Sequence, residues 1–326
     1  MKSKGHLSTP QRSITFQTLV SLCGLVLFVS CSLWACQPFN EPTLIPVISP
    51  GASPTTVVLT SPTPTPLPPV STASPTPVVE FIETSVVEPV ETCTSTSGSL
   101  ETGVIETKLL DKPMRFNVYL PPCYAAETEK YYPVLYLLHG QNFNEGQWIR
   151  IGATETADRL ISAGELPPFI IVMPYDYSYK QPSEYKYEQV FIEMLLPRID
   201  LAYRTLLGPA NRAVGGLSRG GAWAIHFGLR HPDLFGAVGA HSPAIFYSDM
   251  TTLRLRLSQA DQENFPRIYI DVGEHDAEYE SAQSFARLLN EMNLPHEWHE
   301  YIGYHEEKYW SAHVEEYLRW YVEAWK

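Results

Sequence analysis

In 326 residues the chain has room for one large α/β domain with extensions or for two small domains, and 28 prolines imply that part of it is not globular. Acidic residues outnumber basic ones 36 to 23, for a formal net charge of −13. That balance argues against nucleic acid and other polyanions as partners, because such binding is driven by Lys and Arg neutralising phosphates, and otherwise it specifies only a soluble surface.

Lys2, Lys4 and Arg12 precede a charge-free run from Ser13 to Asn40 whose apolar centre, Leu19 to Phe28, has the length of a signal-peptide h-region. Export is therefore expected. The tetrapeptide Leu33-Trp34-Ala35-Cys36 resembles a bacterial lipobox, with Cys36 as the lipidated residue, although Trp34 departs from that pattern and Phe28-Val29-Ser30-Cys31 offers a competing site. Lipidation at Cys36, an uncleaved transmembrane anchor and ordinary cleavage all stay open for residues 1–36. Each puts the remainder outside the cytoplasm, with membrane contact only through this anchor. Residues 37–91 are Pro, Thr, Ser and Val with scarcely a charge, so they read as a disordered linker that cannot bury enough surface to fold. Its proline density favours extended polyproline II at about 3.1 Å per residue, which suits a tether.

From residue 92 to 326 short apolar, β-branched runs alternate with amphipathic stretches, the pattern of a mostly parallel sheet covered by helices in one α/β domain. Met114 to Leu120, Val134 to Leu138 and Phe169 to Met173 read as strands, and Thr154 to Ala163 as a helix. Tyr187 to Tyr203 reads as a helix that Pro197 should kink. Of five cysteines, three fall in the export segment; Cys93 and Cys123 remain, either as a disulfide suited to an oxidising compartment or as two inert thiols.

Ala213 to Gly215 leads as a strand into Gly216-Leu217-Ser218-Arg219-Gly220-Gly221, and Ala222 to Leu229 continues as a helix. A bare G-x-S-x-G arises by chance too often to carry weight. Its strand, sharp turn and helix are what a nucleophile elbow requires, with Ser218 at the apex. A serine hydroxyl is a poor nucleophile until a base takes its proton, and the base needs a carboxylate to fix its tautomer. Arg267 to Val272 reads as a buried strand, and the loop after it offers Asp276, with Glu274 as the alternate and Asp271 too far down the strand. His305 follows the strand Glu297 to Ile302 and precedes the terminal helix, where a base would project over Ser218; His296, His299 and His313 read as structural or surface residues. The oxyanion needs N–H donors, expected from the Arg219 amide and, after the strand ending in His139-Gly140, the Gln141 amide. The Arg219 side chain then reads as a surface or substrate contact.

Taken together, Tyr119-Leu120-Pro121-Pro122, Tyr132 to Gly140, the Ser218 elbow and Gly303-Tyr304-His305 resemble the esterase D/feruloyl esterase family of α/β-hydrolases. Trp148, Gly152 and the Pro167 to Pro174 stretch extend the resemblance over Arg115 to Tyr321. It implies an α/β-hydrolase fold, a Ser218, Asp276 and His305 triad, oxyanion donors at Gln141 and Arg219, and no metal or cofactor. Members include feruloyl and acetylxylan esterases, S-formylglutathione hydrolases, siderophore esterases and mycolyltransferases. Export argues against the cytosolic thioester, and the lack of a basic cluster gives no support for an anionic siderophore. Tyr175, Tyr177, Tyr179, Tyr185 and Tyr187 could stack on a sugar or aryl acyl group, or simply pack their loop. The expected activity is hydrolysis of carboxylic esters of small molecules or carbohydrates. A mycolyltransferase-like acyltransferase and a non-catalytic surface binding protein are the alternatives; the sequence leaves the oligomeric state open.

Overall fold

A computed structural model describes residues 93–326; residues 1–36, expected to direct export and including Cys36, and residues 37–91, expected as a linker, lie outside the described residues. Eight strands form one sheet: β1 (Ser99–Ile105), β2 (Met114–Leu120), β3 (Val134–Leu138), β4 (Ile170–Pro174), β5 (Arg212–Leu217), β6 (Ala237–His241), β7 (Arg267–Gly273) and β8 (Glu297–Tyr301). Their order is β1-β2-β4-β3-β5-β6-β7-β8. β2 pairs antiparallel with β1 and β4, and every pairing from β4 to β8 is parallel.

Strands β3 to β6 are apolar or small at nearly every position because both faces of a parallel sheet are covered by helices. Period-two alternation then divides their side chains: Val134, Tyr136 and Leu138 enter one core, Leu135 and Leu137 the other. The second core is closed by α1 (Gln147–Arg150), α2 (Ala153–Ser162) and the terminal helix, named α8 below. On the first lie α3 (Tyr187–Val190), α4 (Leu196–Ala202), α5 (Arg219–Arg230), α6 (Tyr247–Ser258) and α7 (Tyr279–Glu291); α8 is Glu307–Val322.

The segment expected as one kinked helix is three: α3, a π turn over Phe191–Leu195, and α4. Pro197 falls in the first turn of α4, where a missing N–H is tolerated, and the wider turn just before it absorbs the break in the hydrogen-bond ladder. β1, α1, β6, α6 and α7 add to the elements read from the sequence. A disulfide joins Cys93 to Cys123 with Cα atoms 5.7 Å apart, tying the segment before β1 to the turn after β2. Closing a loop of that length stabilises by about 3–4 kcal/mol in the chain-entropy account.

Candidate active site

Parallel strands deliver their loops to one edge of the sheet, and four of those loops meet around Ser218. The turn from β5 into α5 holds Ser218 at φ 55°, ψ −116°, a left-handed backbone that a non-glycine residue adopts only under tertiary constraint. The constraint is close backbone packing. A Cβ on Gly216 would stand 2.2 Å from the Gly220 carbonyl carbon, and one on Gly220 would stand 2.3 Å from the Leu138 carbonyl oxygen, so both positions need glycine.

The loop after β8 brings His305 to this serine, with Nε2 2.9 Å from Ser218 Oγ, and the loop after β7 brings Asp276 Oδ1 to 2.7 Å from His305 Nδ1. Asp276 Oδ1 also accepts the Glu278 amide at 2.7 Å. Burial alone would raise the Asp276 carboxyl, but the bonds from His305 and Glu278, with help from Ser242, outweigh it and hold the pKa below the usual carboxylate value. The carboxylate can only accept, so His305 Nδ1 carries the proton and Nε2 is left to take one from Ser218. Trp310 packs edge-on against the imidazole at 5.0 Å and donates to Ser242 Oγ.

A cleft of about 580 Å³ opens over these groups, bounded by Gly140, Gln141, Asn142 and Phe143 on one side and His305 to Lys308 and Trp310 on the other. Among the described residues neither the Gln141 nor the Arg219 amide is engaged by another group; Arg219 opens α5, where first-turn N–H groups have no intrahelical partner. His139 aims the first of them. Its Nε2 accepts the Asp176 amide at 2.9 Å, so its Nδ1 bears the proton and donates to the Gly140 carbonyl at 2.7 Å. Burial pushes this imidazole's pKa down, which keeps it neutral. The Gly140 carbonyl and the Gln141 N–H belong to one trans peptide, so drawing the oxygen towards His139 turns the N–H the other way.

Other sequence candidates fall elsewhere. Glu274 is exposed beside His275, and Asp271 binds His241, Tyr309 and Tyr317 within the core. His299 stacks on Tyr269, and His313 stacks on Tyr301. The Arg219 side chain is neither surface nor open to substrate. It is buried, with Nε 2.7 Å from Asp176 Oδ2 and Nη2 donating to the Lys180 carbonyl, because the first turn of α5 lies beneath the loop after β4. Trp223 Nε1 gives Asp176 a further bond at 2.8 Å. Of the five loop tyrosines, Tyr185 and Tyr187 are packed into the core, whereas Tyr179 is 69% exposed and donates to Asn142 Oδ1 at the cleft. Sequence reasoning assigned no role to Asp176, Gln147, Glu307 or Trp310; Trp148, which it did name, donates to the Leu138 carbonyl and seats α1 on the end of β3. Among the described residues no cluster of His, Cys, Asp and Glu is arranged to hold a metal ion.

An endo-1,4-beta-xylanase/feruloyl esterase of Xylanibacter ruminicola is 35% identical over 153 residues, 44% of this chain and 21% of that protein. An esterase of Mycobacterium tuberculosis is 33% identical over 138 residues, 39% of this chain and 28% of that one. The chain therefore spans under a third of the length of these curated relatives. A solved ferulic acid esterase superposes with a TM-score of 0.63 at 27% identity, covering 70% of this chain and 99% of that one. Residues 107–321 match the Esterase family. With that match embracing β2 to β8 and the whole Ser218 edge of the sheet, the chain belongs to the Esterase family of α/β-hydrolases.

Proposed function

We propose that this protein is a serine esterase that hydrolyses carboxylic esters through an acyl-enzyme. One observation carries the reading: Ser218 Oγ, His305 and Asp276 are in a hydrogen-bonded line at the floor of an open cleft. Ser218 Oγ attacks the ester carbonyl while His305 Nε2 takes its proton, and Asp276 offsets the imidazolium. The Gln141 and Arg219 amides stabilise the oxyanion. His305 then returns the proton to the departing alcohol, and water, activated by the same imidazole, releases the acid and frees Ser218. Feruloyl esterase relatives favour aryl acyl esters, and exposed Tyr179 beside the cleft is suited to stacking on such a group or on an attached sugar. The test is p-nitrophenyl acetate and methyl ferulate hydrolysis by the wild type and Ser218→Ala. Loss of at least about 10⁴-fold in kcat, with loss of fluorophosphonate labelling, is expected; a variant as fast as wild type sinks the reading.

The domain acts, in this reading, outside the cytoplasm on a proline-rich tether. Support comes from the apolar leader and from the Cys93–Cys123 bridge, since such bonds persist in oxidising compartments. If Cys36 carries the lipid, Cys36→Ser moves the protein from the membrane fraction to the soluble one; unchanged fractionation rules that anchor out.

A further inference from the structure

We propose that Gln147 is a positioning residue that locks the oxyanion loop to the loop bearing the general base, an inference that rests on the serine-esterase reading. Gln147 opens α1 and is fully buried. Its Oε1 accepts the Gly140 amide at 2.7 Å, and its Nε2 donates to Glu307 Oε1 at 3.1 Å. The orientation of the carboxamide is not arbitrary: a backbone N–H can only donate and a carboxylate can only accept, so oxygen must face Gly140 and nitrogen must face Glu307. Gly140 immediately precedes the Gln141 donor, and a Cβ on it would lie 3.6 Å from the Ser218 Cβ. Glu307 begins α8, two residues after His305. One side chain therefore spans the two loops that carry the oxyanion donor and the base.

Both ends of the span are anchored. Arg150, one turn along α1 from Gln147, holds Glu307 through Nε to Oε2 at 3.2 Å and through Nη2 to Oε1. Trp148 fixes α1 itself to β3. An apolar residue would fill the same space but leave the buried Gly140 amide without an acceptor, at a cost of about 1–3 kcal/mol, so satisfying that donor is the carboxamide's local role. What the amide adds is a fixed distance between two loops that no strand pairing joins, since β3 and β8 lie at different places in the sheet. Displacement of a reacting group by about 1 Å can lower the rate about 100-fold.

The test uses the full-length protein and reads kcat and KM for p-nitrophenyl acetate, the inhibition constant of an aryl trifluoromethyl ketone, and the melting temperature. The ketone adds Ser218 Oγ to its carbonyl carbon and leaves the negative oxygen on the oxyanion donors, so its affinity reports their placement. Gln147→Leu is expected to lower kcat by about 10- to 100-fold, leave KM within about twofold, and weaken the ketone by the same factor as kcat. Gln147→Glu, which sets two carboxylates against each other, should lose as much. The double variant Gln147→Glu/Glu307→Gln reverses the polarity of the bond, keeps an acceptor for the Gly140 amide, and should return kcat to within about threefold of wild type. That rescue remains decisive if Gln147→Leu fails to fold. The proposal is overturned by a folded Gln147→Leu with kcat within twofold of wild type, by a fall in kcat without weaker ketone binding, or by a double variant no better than Gln147→Glu. Ser218→Ala assayed alongside separates the failures: its retained activity would refute the esterase reading itself, whereas a Ser218-dependent enzyme indifferent to Gln147 refutes only the brace.

Discussion

Two histidine–aspartate pairs sit side by side at the carboxyl ends of the sheet, and only one of them faces a substrate cleft. His305 Nδ1 lies 2.7 Å from Asp276 and Nε2 2.9 Å from Ser218 Oγ; His241 Nδ1 lies 2.5 Å from Asp271 and Nε2 2.9 Å from the Tyr321 hydroxyl. The bond pattern is nearly the same. The surroundings differ: the His305 side chain is 26% exposed, and both members of the inner pair are wholly buried. Asp271 Oδ2 is filled by the Tyr309 and Tyr317 hydroxyls, whose pKa values burial raises, so they stay protonated as donors. His241 lies flat against Tyr317 at 3.7 Å. Gly215 and Gly239 make room for the Tyr321 hydroxyl, which would meet a Cβ at either position at under 2 Å. In the proposed mechanism an imidazole paired with a carboxylate thus becomes a base only where its other nitrogen meets a hydroxyl that substrate can reach. Where it meets a phenol in a dry core, it fastens β6, β7 and α8 together.

The sharpest way to break the comparison is to remove each imidazole in turn. His305→Ala should lower kcat for p-nitrophenyl acetate by about 10⁴-fold or more, and Asp276→Asn by about 10³- to 10⁴-fold, with melting temperatures near wild type. His241→Leu should act the other way, costing about 3–5 kcal/mol in urea unfolding, because it strips a donor from a buried carboxylate, while the folded fraction keeps kcat within about tenfold. If His241→Leu were as stable as wild type and inactive, the inner pair would belong to the machinery and the distinction would collapse.

Why the outer pair was readable in the sequence and the inner one was not follows from where each residue stands. Ser218 announces itself through Gly216 and Gly220, because a strained turn packed on backbone tolerates no Cβ, and His305 and Asp276 follow strand ends whose apolar runs mark their limits. β3 and β2 were legible to the residue, since buried β-branched and aromatic runs leave little choice. β6, with the sequence Ala-Val-Gly-Ala-His, offers little β-branched signal, and the reason for its Gly239 is Tyr321, far along the chain in α8. α7 did carry a signal, Ala282, Phe285, Ala286 and Leu289 at helical spacing. Asp271 looked like a stray acid on a strand because its three partners come from β6 and α8. The burial of Arg219 depends in the same way on Asp176, 43 residues away on a loop. Long-range polar satisfaction has no periodicity, so it leaves no trace in a local pattern.

A third histidine sharpens the comparison with a smaller effect that depends on pH. His226 on α5 is buried with Nδ1 2.7 Å from Asp249 Oδ2 and Nε2 3.2 Å from Glu188 Oε2, while Arg230 and His231 both reach Glu188 Oε1. Both ring nitrogens face carboxylates, so only the imidazolium satisfies both, unlike His305 and His241. Burial alone would push its pKa down; Asp249 and Glu188 outweigh that and hold it above the ordinary 6.5. A folded-state pKa raised above the unfolded one stabilises fully below the unfolded value, and the contribution is lost as pH rises through the folded pKa. His226→Gln, neutral at every pH, should therefore be less stable than wild type by about 1–3 kcal/mol at pH 6, with a gap that narrows by pH 9. Urea unfolding at the two pH values measures it. Since His226 touches none of Ser218, Asp276 or His305, kcat at pH 8 should stay within about threefold of wild type. A gap that is constant or wider at pH 9 would mean that His226 does not hold the second proton, so that a second carboxylate partner does not set this third pair apart.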